Sequence, residues 1–167
     1  RPLETLWLRG GFPESLLAET DERSFRWRED FIRTYLERDI WQFGPRIPAE
    51  TLRRVWVMLA HRQGSALNAS EFAKSMGLDV RTINRYLDLL TDLFMLRRLQ
   101  PWYANIGKRL VKAPRLYLRD SGIVHTLLRI RNQEELLSHP ICGASWEGFV
   151  IDNISASAPE GTSFFYY

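Results

Sequence analysis

The amino-acid sequence predicts a mainly helical α+β fold with a winged helix-turn-helix at its centre, and three observations lead there. Residues 67–90, LNASEFAKSMGLDVRTINRYLDLL, hold two helical patterns that meet at Gly77. Several segments on either side repeat their apolar residues at helical spacing. After Phe94 the pattern changes to two short β-prone stretches, FMLRRLQPWY and APRLYLRD, separated by the basic segment NIGKRLVK.

Composition allows a packed core and sets limits on function. The 167 residues suffice for one ordinary domain or two small ones, and 45% are apolar. A net charge of +3 is compatible with a nucleic-acid partner without demanding one. The single cysteine, Cys142, excludes an internal disulfide framework and fits a reducing cytoplasm. No apolar run approaches the roughly 20 residues that span a bilayer. The N-terminus has no hydrophobic signal core, so no membrane or export role is expected. Arg1 is not an initiator methionine, and the closing TSFFYY is followed by no turn or polar tail. The chain is therefore expected to be a fragment, or the ordered part, of a longer protein.

Each element has a local cause. RGGFPESLLA is a Gly-Pro turn entering a short apolar segment. SFRWREDFIRTYLERDI is helical, with Trp27, Phe31, Tyr35 and Leu36 near one face. Glu29, Arg33 and Glu37 stand four apart on the other, where they can pair. GPRIP interrupts this helix, and Pro48 suits the first turn of the next, which Gly64 ends. Asn68 and Glu71 have capping-box spacing, and Gly77 can take the left-handed conformation that stops the short helix between. Asp79 can cap the second helix, whose stripe Ile83, Tyr86, Leu87, Leu90 and Phe94 faces inward. DSGIVHTLLRI returns to helix with Asp120 or Ser121 as its cap. ASWEGFVIDNISAS is amphipathic with Trp146, Phe149, Val150 and Ile154 inward, and TSFFYY begins a strand.

The chemistry follows from this layout. In a helix-turn-helix the second helix offers its outer face to the major groove, and Arg81, Thr82, Asn84, Arg85 and Asp88 lie off the apolar stripe. Arginine can bond both acceptors of a guanine, and asparagine can do the same with adenine. The two β-prone stretches would form a wing, with Lys108, Arg109 and Lys112 placed to grip phosphates. The same three-helix core also serves as a protein-docking module, and Glu71, Asp88 and Asp92 dilute the positive face. His61, His125 and His139 have no metal-ligand spacing with each other or with Cys142 and read as surface or helix-end histidines. Cys142 reads as a buried small residue. No phosphate-binding G-x-x-x-x-G-K-[ST] loop occurs, so no cofactor is expected in this segment. Glu147 is a candidate metal ligand of a nuclease-like site, which would need further carboxylates on one cation. Asp120 reads as a helix cap.

Taken together, LWLRGGFPESLL, WREDFIRTYLERDI, LNASEFAKSMGLDVRTINRYLDLL, KRLVKAPRLYLRDSGIVHTLL and GASWEGFVIDNI resemble the C-terminal half of a large prokaryotic family of predicted AAA-type ATPases. The resemblance implies a join or lid region over residues 1–48 and a winged helix over 49–111. It also implies the beginning of a restriction-endonuclease-like α/β domain over 112–167, with Glu147 at that domain's first acidic position. It implies ATP and Mg for the whole protein, through an N-terminal P-loop module that this chain lacks. The partners it leaves to consider are duplex DNA, the ATPase module and a further copy of the chain.

Overall fold

A computed structural model describes residues 2–40, 48–102 and 113–167 of the chain. Lys108, Arg109 and Lys112 lie outside the described residues. The fold is mixed α+β and mainly helical, with one small sheet.

Three helices open the chain: α1 (Leu3–Arg9), α2 (Pro13–Leu16) and α3 (Asp21–Thr34), the last running on into a π-helical turn, Tyr35–Asp39. Thr20 caps α3 by accepting the Arg23 N–H. Phe25, Arg28, Ile32 and Leu36 form its buried line. The residues read as its inner face are only partly buried, apart from Leu36. They build instead a flanking aromatic ladder, Trp27–Phe31–Tyr35, with successive ring centroids 5.4 Å apart, that ends against Trp56. Along the outer face Arg33 and Glu29 take partners other than each other, and the Glu37 side chain lies outside the described residues. Arg33 bonds Asp30, and Glu29 reaches Arg129 in the turn after Leu127.

Helix α4 (Ala49–His61) buries Leu52, Val55, Trp56, Leu59 and Ala60, as its dense apolar run demands. Helix α5 (Ala69–Met76) is capped by the Asn68 side chain on the Glu71 N–H. Glu71 does not complete the box, because its carboxylate bonds Arg62 instead. Gly77 ends α5 at φ 67°, ψ 30°, a conformation that Ala would adopt only with strain. Asp79 then caps α6 (Val80–Asp92), which buries Ile83, Tyr86, Leu87 and Leu90. Phe94, read as the last member of that stripe, is 72% exposed and stands at φ 59°. The helix has already ended at Asp92, so the helical period no longer aims that ring at the core.

Strand β1 (Leu96–Pro101) pairs antiparallel with β2 (Arg115–Leu118), Leu96 opposite Leu118. Beyond β2 the chain around Ala66 adds an antiparallel bridge to Arg115. On its other side β1 pairs in parallel with β3 (Phe165–Tyr166). Gln63 extends the ladder with its side chain: its amide donates to Leu118 O (3.1 Å) and accepts from Leu118 N (2.8 Å). Gln63→Ala would strand both backbone groups in a buried place and should cost about 2–4 kcal/mol, read from urea unfolding.

Helices α7 (Ser121–Leu127), α8 (Gln133–Ser138) and α9 (Cys142–Ser157) complete the chain. In α9 only Phe149 of the expected inner face is well buried, while Trp146 and Ile154 are 40% and 55% exposed. Cys142, at the start of α9, is half-buried rather than buried. His125, read as a surface or helix-end residue, is fully enclosed. One core joins Ile32 and Leu36, the apolar faces of α4 to α6, the sheet and α7, so it runs continuously across positions 48 and 111. A smaller cluster of Trp7, Leu8, Ile130, Leu136, Ile141 and Phe149 ties α1 to α8 and α9. Among the described residues no helix is long and apolar enough to cross a membrane.

Candidate functional site

The outer face of α6 is built by its cap and its stripe. Asp79 accepts the Thr82 backbone N–H (2.8 Å) and the Thr82 hydroxyl (2.7 Å), which fixes the first turn. These two bonds hold the Asp79 carboxyl below the usual range, the hydroxyl bond first. Thr82 thus has its hydroxyl proton committed to the cap, and only its oxygen lone pairs remain to offer a ligand.

With the apolar stripe turned inward, Arg81, Asn84 and Arg85 are left exposed on α6. Neither arginine has an ion-pair partner among the described residues, unlike Arg62 and Arg98 nearby. Asp88, the acid on the same face, is taken up by Arg98 at 2.8 Å. An exposed cationic pair beside an amide, with the Glu71 and Asp88 carboxylates already engaged, can bond phosphates and base edges.

Glu147 sits elsewhere. It projects from α9 toward β2, 3.6 Å from Arg115 Nη1, and is about half exposed (48%). Gly64 and the Tyr117 ring lie beside it. The Tyr117 hydroxyl is buried close to Arg115 and Glu147, and burial raises its pKa above the ordinary value. Glu147 is therefore an ion-pair partner in this structure. Among the described residues no group of three or more His, Cys, Asp or Glu is arranged to hold a metal ion.

The densest polar construction lies where α1 meets α7. The Asp120 carboxylate caps α7 through the Ile123 N–H (3.0 Å), as expected, and also accepts the Gly11 N–H (2.7 Å). Its own N–H donates to Asp152 on α9 (3.2 Å), whose other oxygen takes the Arg97 guanidinium (3.1 Å). Burial raises the Asp120 pKa, opposed by the Gly11 and Ile123 bonds. Asp120 is held at φ 70°, and a Cβ on Gly10 would stand 2.0 Å from its carboxylate. Of the two glycines of RGGFP, read only as a turn, Gly10 thus clears a seat for Asp120 and Gly11 donates its N–H.

Behind them, Arg28 is fully buried and donates to Leu8 O at 2.7 Å. Desolvation lowers its pKa to about 10. His125 Nδ1 bonds the same carbonyl (3.0 Å), and its Nε2 lies 2.6 Å from Ser145 Oγ. The Trp7 indole donates to that hydroxyl as well (3.0 Å). Enclosure keeps the ring neutral, and with Nδ1 donating to the carbonyl the neutral ring's Nε2 accepts from Ser145. Burial drops its pKa to about 4.

Sequence reasoning passed over Arg28, Ser145 and Asp152 and read His125 as a surface or helix-end residue. They converge from three helices, α3, α7 and α9, with no fixed spacing that a local pattern could reveal.

Known proteins offer family matches. A family model described as "Domain of unknown function (DUF8612)" matches residues 1–134. Uncharacterized protein Mb2031c of Mycobacterium bovis and uncharacterized protein Rv2008c of Mycobacterium tuberculosis are each 49% identical to this chain over 153 residues. The match covers 92% of this chain and 35% of each relative, so the chain spans about a third of their length.

Proposed function

We propose, for a chain that belongs to the family of the domain of unknown function DUF8612, that it is a DNA-binding module of winged-helix type. In the whole protein it would serve an AAA-type ATPase. The observation that carries this reading is the exposed Arg81, Asn84 and Arg85 face of α6, free of ion pairs among the described residues. The order of elements supports it: α4, the bridge at Ala66, α5, a tight turn at Gly77, α6, then β1 and β2 in antiparallel register. That is the order of a winged helix, whose second helix after the turn enters the major groove. The segment joining β1 to β2 carries Lys108, Arg109 and Lys112, the wing's phosphate contacts in this reading. An ATPase module, with its ATP and Mg, would occupy part of the relatives' remaining length. It is proposed from the resemblance of the sequence motifs.

The test is duplex binding by fluorescence anisotropy across a salt series. The logarithm of the binding constant should fall linearly with the logarithm of salt, with a slope for roughly 3–6 neutralised phosphates. Arg81→Ala with Arg85→Ala should weaken binding by at least about tenfold, since each bidentate base contact is worth ~1–3 kcal/mol. No binding at low salt would remove the reading and leave the core as a docking surface for the ATPase module. A metal-dependent nuclease using Glu147 has less support, because that carboxylate is engaged by Arg115.

A further inference from the structure

A cleft of about 620 Å³, lined by none of the α6 arginines, lies between the turn after α1, the residues just before β1, the residues before α7, and α9. Phe12, Met95 and Phe149 give it an apolar lining, and Arg119, Asp120 and Asp152 give it a polar wall. Apolar clefts of roughly 300–1,000 Å³ with a few convergent polar groups are the usual form of a small-molecule site.

Two features mark this cleft as built for a ligand. The first is backbone strain. Among the described residues three non-glycines have positive φ, and two of them, Phe94 and Asp120, line this cleft. Such conformations persist only where the surroundings impose them, and they gather at binding sites. Asp120 is imposed by Gly11, Ile123 and Asp152. Phe94 is held exposed at the rim, with the Arg119 guanidinium 5.8 Å from its ring centroid.

The second feature is unused hydrogen-bonding capacity. Each Asp120 oxygen accepts one backbone N–H and keeps room for another donor. Arg119 turns its Nε toward Asp152 at 3.7 Å, and its outer nitrogens have no hydrogen-bond partner among the described residues. The wall therefore presents an acceptor and a donor next to each other in sequence, beside aromatic rings. Asp152 is paired with Arg97 and Arg119, and Asp120 adds a second carboxylate against these two guanidiniums, so the charges balance and a strongly charged ligand gains little there.

We infer that the cleft binds a small planar molecule bearing an amide-type donor–acceptor pair on an apolar ring. The ligand N–H bonds Asp120, its carbonyl accepts from Arg119, and its ring lies among Phe12, Phe94 and Phe149. Nothing in this inference depends on DNA binding.

The experiment uses the 167-residue chain and amide-resolved NMR, with benzamide as the probe. Benzamide at millimolar concentration should shift the Gly11, Ser121 and Asn153 amides together. N,N-dimethylbenzamide keeps the ring and carbonyl but has no N–H, and should bind at least about tenfold more weakly. Benzoate should bind no better than the dimethyl compound. Ala156→Trp, at an exposed lining position, should fill the cleft and abolish the shifts while the rest of the spectrum stays folded. Absence of saturable shifts with benzamide would overturn the inference. So would equal affinity for the dimethyl compound, or shifts that survive Ala156→Trp.

Discussion

Gly122→Ala should cost more than about 3 kcal/mol, a large part of the stability of a domain this size. A Cβ at Gly122 would stand 2.2 Å from the Arg9 carbonyl oxygen and 2.7 Å from Arg28 Nη1. The first obstacle is backbone, and it cannot swing aside as a side-chain tip would. Arg9 is itself fixed, its guanidinium bonded to Asp21 (2.7 Å) and to the Ala18 carbonyl (2.6 Å). The added methyl would push α1 off α7 and disturb the seat of Asp120 and the bonds to Leu8. A matched control separates contact from helix propensity. Gly143, in α9, has nothing within 4 Å of an added Cβ, so Gly143→Ala should be neutral or stabilise by up to about 1 kcal/mol. Urea midpoints of the two variants decide it. A loss under about 1 kcal/mol for Gly122→Ala would mean that α1 and α7 do not meet as described.

His125 should make stability fall in acid. Its pKa is near 6.5 when unfolded and about 4 in the fold, because burial penalises the imidazolium. The unfolded chain therefore binds the extra proton first. The neutral ring's contribution is complete above the unfolded value and is lost as pH falls from there through about 4. The loss over that window is of order 3 kcal/mol. Asp120 acts with the opposite sign, since its raised pKa lets the fold take up a proton more readily than the unfolded chain. Comparison with His125→Gln isolates the histidine, because both proteins keep Asp120. Unfolding free energies between pH 7 and pH 4 should drop more steeply for the native chain than for the variant. Equal slopes would place His125 in contact with water.

How much of this was readable beforehand depended on whether a feature was local. The caps at Asn68, Asp79 and Asp120 and the left-handed Gly77 were legible, because each joins residues within a few positions. The stripe of α6 was legible up to Leu90 for the same reason. Phe94 was misplaced because periodicity carries no information about where a helix stops. Trp146 and Ile154 were misplaced because an amphipathic pattern does not say how much of its apolar face a neighbour will cover. The junction of Arg28, Asp120, His125, Ser145 and Asp152 was opaque. Its bonds span separations such as Leu8 to His125 and Arg97 to Asp152, which no local spacing encodes. Gly10 and Gly11 were read only as a turn, and the carboxylate that Gly10 makes room for came from far along the chain.

The central claim is that α6 presents a face to duplex DNA. The most direct measurement is amide-resolved NMR of the chain titrated with a duplex of about 20 base pairs, long enough for two turns of groove. The account predicts shifts and broadening concentrated on residues 79–85 and on the Lys108–Lys112 segment, weakening as salt is added, with the Asp120 cleft unchanged. A duplex that leaves Arg81, Asn84 and Arg85 unperturbed while shifting other surfaces, or that shifts nothing at low salt, would contradict it.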